Sequence, residues 1–267
     1  MAYRTYAIGV RIPSGSVHEG LYWDTLDPYH YVRTQRLSSG SESEILIVGG
    51  EDHKTGQDDN SKDHFSELEA WTRERFRQID EIEYRWSGQV LEPDDYLAFI
   101  GRNPGNENLY IATGDSGMGM THGTIAGILI SDLIQGRENA WKELYDPSRK
   151  TLGALGEWTR ENLNVAAQYG DWLSRGDAKS VQNVGPGEGA IVRENGKPVA
   201  CYRETNGRLH RCSAVCTHLA CIVSWNQVEK TWDCPCHGSR FGIDGSVLNG
   251  PAVKPLKNVD DSRKRAA

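Results

Sequence analysis

Two short motifs, Cys216-Thr217-His218 and Cys234-Pro235-Cys236-His237, restrict this chain more than any other feature. Each puts a thiol and an imidazole into one loop, and fifteen residues separate His218 from Cys234. Five of the six cysteines fall between positions 212 and 236. A disulfide framework spreads its bridges along a chain, so this crowding predicts a metal site. Thiolates hold ferric iron well, and neutral imidazole suits a second, more reducible iron, so each loop can offer one Cys to one iron and one His to the other. Two imidazoles in place of two thiolates remove negative charge at one iron and raise the reduction potential. Two Cys and two His also satisfy tetrahedral zinc. The Cys-x-His spacing speaks against zinc, whose knuckles are mostly Cys-x-x-Cys, and the flanking residues decide.

The chain has 267 residues and a net charge of −7, enough length for two domains and no basic stripe to neutralise phosphates. Nucleic acid is therefore not expected as a partner. The one basic run, Arg263-Lys264-Arg265, reads as part of a solvated tail over 260–267. Met1-Ala2-Tyr3-Arg4 opens no secretory signal, and the apolar stretch from Gly123 to Ile134 is too short to span a bilayer. No membrane span and a cytoplasmic location are the expectations.

Along the chain, Tyr6–Ile12, Gly20–Trp23, Tyr29–Gln35 and Glu44–Gly49 read as strands of an antiparallel sheet. Asp63–Asp80 has helical spacing, Glu83–Val90 returns to strand, and Leu109–Thr113 is a short buried-type strand. A polar helix is expected over Gly156–Leu173, and Val181–Leu209 is β in character, with hairpin signals at Asn195-Gly196 and Asn206-Gly207. The glycine-rich run Gly114 to Gly123 lies between the Leu109–Thr113 strand and a helix over Thr124–Ile134. Strand, glycine turn and helix amino terminus can present N–H groups to a negatively polarised ligand. A tight turn with close packing explains the same residues equally well.

Flanks settle the metal question. Cys216-Thr217-His218-Leu219-Ala220-Cys221 and Cys234-Pro235-Cys236-His237-Gly238-Ser239-Arg240-Phe241, with Asp244-Gly245 and Gly250-Pro251-Ala252 after them, closely resemble the Rieske family. The resemblance implies an all-β domain over 177–259 with a [2Fe–2S] cluster. Cys216 and Cys234 would hold the buried iron, and His218 and His237 the outer one. It also implies a Cys221–Cys236 disulfide clamping the two loops, as in the Rieske proteins of cytochrome bc complexes. Ser239 matches the serine that donates to a cluster sulfur in those proteins. Phe241 stands where they have a tyrosine, so a lower potential than theirs is expected. Cys201 and Cys212 have no ligand role in this scheme and are expected in the core.

Residues 1–146 resemble the later half of the flavin-dependent D-amino-acid oxidase and glycine oxidase superfamily. The residues that carry this are Tyr84-Arg85-Trp86-Ser87-Gly88-Gln89, Ile100-Gly101-Arg102 and Asn108 to Gly123. The resemblance implies an α+β domain, partial in extent, in which Gly114, Gly117, Met118, Gly119, Thr121 and His122 contact FAD. Ile47-Val48-Gly49-Gly50-Glu51-Asp52-His53 resembles a stretch of bacterial proteins that fuse this oxidase fold to a Rieske domain. Its acidic and His residues face either a substrate cavity or solvent. The Gly-x-Gly-x-x-Gly dinucleotide fingerprint is absent, so the chain reads as the later part of a longer oxidoreductase or as a truncated reading frame, and tight FAD binding by this chain alone is not expected.

The expected organisation is therefore 1–146 oxidase-like, 147–176 helical linker, 177–259 Rieske domain and a tail. The expected function is an oxidoreductase whose flavin oxidises an amino-acid-like amine and whose cluster passes electrons to an acceptor. No catalytic residue is named. A flavin-free electron carrier and a zinc-stabilised module are the alternatives.

Overall fold

Twelve residues from Ala2 to Pro13 form the strand β1, buried without a break from Tyr6 to Val10 and again at Ile12. The computed structural model describes residues 1–57, 63–150, 153, 155–174 and 176–259, so the expected tail at 260–267 lies outside the described residues. After β1 come β2 (Leu21–Trp23), β3 (Tyr31–Arg36), β4 (Ser43–Lys54), the helix α1 (His64–Arg75) and β5 (Ile82–Leu91). The five strands form one sheet in the order β2-β3-β4-β1-β5, and the β2–β3 and β3–β4 pairs are antiparallel. Tyr6, Ile8, Val10 and Ile12 project from one face of β1 and pack with Val32, Leu46, Val48 and Leu68 of α1. Each such side chain taken from water contributes about 1.5–3 kcal/mol.

The Asp63 carboxylate caps α1 by accepting from the N–H groups of Phe65 and Ser66, with Glu67 in the first turn and Arg73 and Arg75 in the last. The helix stops at Arg75, short of the expected Asp80. Asp80 N–H donates to Arg11 O and Arg11 N–H to Glu81 O, which draws the following segment onto β1.

Next come β6 (Phe99–Arg102), β7 (Tyr110–Thr113), α2 (Gly119–Ile134) and α3 (Leu155–Gln168). β6 pairs antiparallel with β7 and escaped the sequence reading. α2 begins at Gly119, before the expected Thr124, because Ser116 and Gly117 at positive φ complete the turn and His122 N–H already reaches Met118 O. The expected helix over Gly156–Leu173 is α-helical only to Gln168 and then tightens to a 3₁₀ turn, Tyr169–Leu173.

The rest is β: β8 (Gly189–Glu194), β9 (Lys197–Arg203) and β10 (Leu209–Ser213) in one antiparallel sheet, and β11 (Ser224–Asn226), β12 (Thr231–Asp233), β13 (Arg240–Phe241) and β14 (Val247–Asn249) in another. Asn195 and Gly196, both at positive φ, turn β8 into β9, as the Asn-Gly signal requires. By contacts the chain forms two units: Met1–Tyr3 with Val90–Gln168, and Arg4–Gln89 with the chain from Tyr169 onward. The five-stranded sheet and the carboxy-terminal β segment thus share the second unit. No described helix is long and apolar enough to cross a membrane.

Candidate metal centre

Two loops in the second unit are built alike. In the first, Cys216 N–H donates to Cys221 O at 2.8 Å and Ala220 N–H to Cys216 O at 3.0 Å. In the second, Cys234 N–H donates to Ser239 O at 2.8 Å and Gly238 N–H to Cys234 O at 2.9 Å. Each loop therefore bonds its first residue to the fifth and fourth residues beyond, and each turns at a left-handed fourth residue, Ala220 (φ 61) or Gly238 (φ 73). The Cys221–Cys236 disulfide, with Cα atoms 6.4 Å apart, ties the loops together.

This construction brings the four expected ligands into two pairs. Cys216 and Cys234 are buried and share a hydrogen bond. That bond, with help from the His218 N–H and the Ser239 hydroxyl and against burial, holds the Cys216 thiol below the ordinary range. Cys234 moves the other way, raised by Cys216 and by burial. Two buried thiols crowded together suit a cation, which would take up the negative charge that they otherwise share with one proton. The His218 and His237 rings stand 5.0 Å apart, edge to face. Burial, and then the neighbouring charge of His218, lower the His237 pKa and favour the neutral ligand form. His237 Nδ1 is buried with no hydrogen-bond partner among the described residues, as a nitrogen meant for a metal would be. The donor set and this orphaned nitrogen fit a two-Cys, two-His iron–sulfur cluster.

Ser239 is fully buried; its Oγ accepts from Ala252 N–H at 3.0 Å while its hydroxyl donates to Cys216. Phe241 is fully buried on β13. Cys201 and Cys212 are core residues, and burial pushes the Cys212 thiol up to about 12.

Sequence reasoning missed the donors that hold these loops from outside. Tyr169 Oη donates to Leu219 O at 2.6 Å and Trp172 Nε1 to Ala220 O at 2.9 Å. Gln57 Nε2 donates to Pro235 O at 2.9 Å and Gln89 Nε2 to Gly238 O at 3.0 Å. A buried charge network completes the contact: Arg4 and Ser87 bond Glu229, which also accepts from Arg240 at 2.9 Å, and Arg240 reaches Asp233 at 3.0 Å. Burial opposes ionisation of Glu229, but hydrogen bonds from Arg4 and Ser87 and the charges of Arg240 and Arg4 outweigh it, leaving its carboxyl below the ordinary range.

The Glu51-Asp52-His53 stretch is the end of β4, not a solvated loop. His53 stacks on His64 at 4.4 Å and bonds the Tyr6 hydroxyl at 3.0 Å, and Glu51 lies 3.0 Å from His30 Nε2.

In the first unit, Gly114 and Gly117 adopt positive φ, and Met118 begins α2 without a side-chain cap or an acidic first turn. Gly119, Thr121 and His122 form that first turn, with His122 Nδ1 held 2.9 Å from Asp115 O. The Asp115 carboxylate lies beside this amino terminus, where a Cβ on Gly119 would meet its Oδ2 at 2.8 Å, so the positive end of α2 already faces negative charge.

Residues 1–133 match the family described as FAD dependent oxidoreductase, and residues 172–260 match the Rieske [2Fe-2S] domain. YhfW of Bacillus subtilis (strain 168), named for a Rieske 2Fe-2S iron–sulfur protein, is 36% identical over 259 residues, 96% of this chain and 50% of that protein. The chain thus spans half the length of this relative. The cytochrome b6-f complex iron–sulfur subunit of Microcystis aeruginosa (strain NIES-843) is 31% identical over 152 residues, 54% of this chain and 78% of the subunit. Among solved structures, glycine oxidase from Geobacillus kaustophilus aligns over 56% of this chain and 39% of its own, with 18% identity and a TM-score of 0.44.

Proposed function

Since this chain belongs to the Rieske iron–sulfur family and carries an FAD-dependent oxidoreductase segment ahead of its [2Fe–2S] domain, we propose that it passes electrons from a flavin to an external acceptor. The observation that carries the reading is the pair of like-built loops, with two thiols together on one side and two imidazoles together on the other. Cys216 and Cys234 would hold one iron, and His218 and His237 the other. When bound, the cluster supplies one-electron chemistry at a potential raised by its two imidazoles.

The chain's own residues do the rest. Ser239 and the backbone N–H of His218 donate to Cys216, which stabilises negative charge at the ligand sulfur. The disulfide and the outside donors keep the loops at fixed separation. His218 is exposed and His237 half-buried, so this end is where electrons would leave. Gly114, Gly117, Met118, Gly119, Thr121 and His122 would meet the flavin ring. We take the substrate to be an amino-acid-like amine, on the strength of the match to the FAD-dependent oxidoreductase family. The proposed division is 1–146 oxidase-like, 147–176 linker and 177–259 Rieske domain.

The test is electron paramagnetic resonance of the dithionite-reduced protein, with iron, acid-labile sulfide and flavin absorbance measured on the same sample. A rhombic signal with average g below about 2 is expected for a cluster with two His ligands. Zinc without sulfide would overturn the assignment. A loaded cluster that never accepts electrons from added flavin and amine would reduce the chain to a carrier.

A further inference from the structure

We propose that Gln57, which lies outside the Rieske domain, is a positioning residue for the iron–sulfur centre and tunes it through the peptide unit joining Pro235 to Cys236. The inference rests on the ligand assignment above. Gln57 Nε2 donates to the Pro235 carbonyl at 2.9 Å. That carbonyl and the Cys236 N–H belong to one peptide, and the Cys236 N–H donates to the sulfur of Cys234. The chain of donors therefore runs from the Gln57 amide to the 235–236 peptide and on to a ligand sulfur. Hydrogen bonds in such a series polarise one another, so the outer donor strengthens the inner one.

A backbone-on-backbone contact delivers Gln57 to this place. Gly56 sits at φ +74, and a Cβ there would meet Pro235 N at 2.7 Å, Asp233 O at 2.9 Å and Cys234 C at 2.9 Å. Only glycine allows that approach. Ser224 Oγ donates to Gly56 O at 2.8 Å and anchors the tip. Gln89, on β5, reaches Gly238 O at the far end of the same loop. The oxidase-like sheet thus points the positive ends of two amide dipoles at the 234–238 loop.

The sign follows from the charge. Reduction adds negative charge to the cluster and its thiolates, and a donor stabilises the more negative state more strongly. Removing the Gln57 amide should lower the potential.

The test is an equilibrium redox titration, followed by electron paramagnetic resonance, on the full chain and on Gln57→Met, which keeps the length and loses the donor. The expected result is unchanged iron, sulfide and line shape, with the reduction equilibrium weakened about threefold, or about 30 mV at 59 mV per tenfold for one electron. Gln57→Glu should shift it further the same way, because it adds negative charge. Ser224→Ala, which loosens the tip but keeps the Gln57 amide, should lower the melting temperature and lower the potential less than Gln57→Met does. An unmoved or raised potential in cluster-loaded Gln57→Met overturns the inference and makes Gln57 a structural contact only. Should Gln57→Met lose its cluster, the same titration on Gln57→Asn, which is too short to reach, decides by the same criterion. Absence of the signal from the unsubstituted chain would defeat the ligand assignment instead.

Discussion

Replacing Glu229 by Gln removes one charge from the network that joins the five-stranded sheet to the cluster-bearing segment. The Glu229 side chain is 14% exposed, and those of Arg4 and Arg240 are 7% and 5% exposed. Water cannot substitute for the lost carboxylate at such positions. Arg240 keeps the Asp233 carboxylate at 3.0 Å, whereas Arg4 keeps only neutral acceptors among the described residues, the Ser87 hydroxyl and the amide oxygen left at position 229. Removing one member of a buried ion pair costs about 3–5 kcal/mol, because the remaining charge stays desolvated. With one of the two arginines still paired, the lower figure applies, about 3 kcal/mol. For a chain of this size that lowers the melting temperature by about 6–12 °C.

The assay is thermal unfolding of Glu229→Gln, Arg4→Met and the double variant, followed by circular dichroism at neutral pH. The double variant should recover much of the loss, with a coupling of about 2 kcal/mol, because Arg4→Met also removes the stranded charge. A change under about 2 °C for Glu229→Gln, or strictly additive effects, would refute the reasoning. It would mean that the network is hydrated and contributes no more than a surface ion pair.

Acid should find the same carboxylate. Glu229 is held below its ordinary 4.5, so its contribution is complete above that value and disappears as pH falls through the lower folded one; the unsubstituted chain should lose melting temperature there and Glu229→Gln should not show that component. Removing the disulfide by Cys221→Ala with Cys236→Ala frees a loop with a sequence separation of 15. Loop entropy sets the loss at about 3 kcal/mol, read as a lower melting temperature and faster bleaching of the visible cluster absorbance. Phe241→Tyr adds the hydroxyl that the Rieske resemblance puts beside the cluster, and a donor worth about 1 kcal/mol raises the potential by about 40 mV in a redox titration; a lowered potential would show that the hydroxyl points elsewhere.

The cluster ligands were legible because each loop is short and self-contained. Cys216, His218, Cys234 and His237 are placed by hydrogen bonds within six consecutive residues, so their spacing in sequence is nearly their geometry in space. The strands of the first sheet were legible for a similar reason: Tyr6-Ala7-Ile8-Gly9-Val10-Arg11-Ile12 is a local run rich in aromatic and β-branched residues. Gln57, Gln89, Tyr169 and Trp172 were not legible. Each meets a backbone carbonyl, at sequence separations of 178, 149, 50 and 48. A carbonyl belongs to every residue alike, so no residue type on the far side marks the contact. Gln89 and Ser87 sat within the stretch that suggested an oxidase, and nothing there indicated that one would meet the 234–238 loop and the other Glu229. The early end of α1 was hidden likewise, since it depends on the Arg11 backbone.

These unforeseen contacts bear on how electrons move. A Rieske segment that swings between partners needs an interface it can leave cheaply, polar and wet, with charges that rehydrate in place. Here Arg4 and Glu229 meet in a buried setting, and Gly56 lies backbone to backbone on Cys234. Departure would strand desolvated charges and open the packing behind a ligand residue at once. The 3₁₀ turn adds Tyr169 and Trp172 to the carbonyls of the first loop, so both loops are held. The cysteine side is thus enclosed by the chain itself, while His218 stands exposed beside Leu219. The loops are held from within this unit, and releasing them would cost the buried pairs and the four carbonyl contacts together.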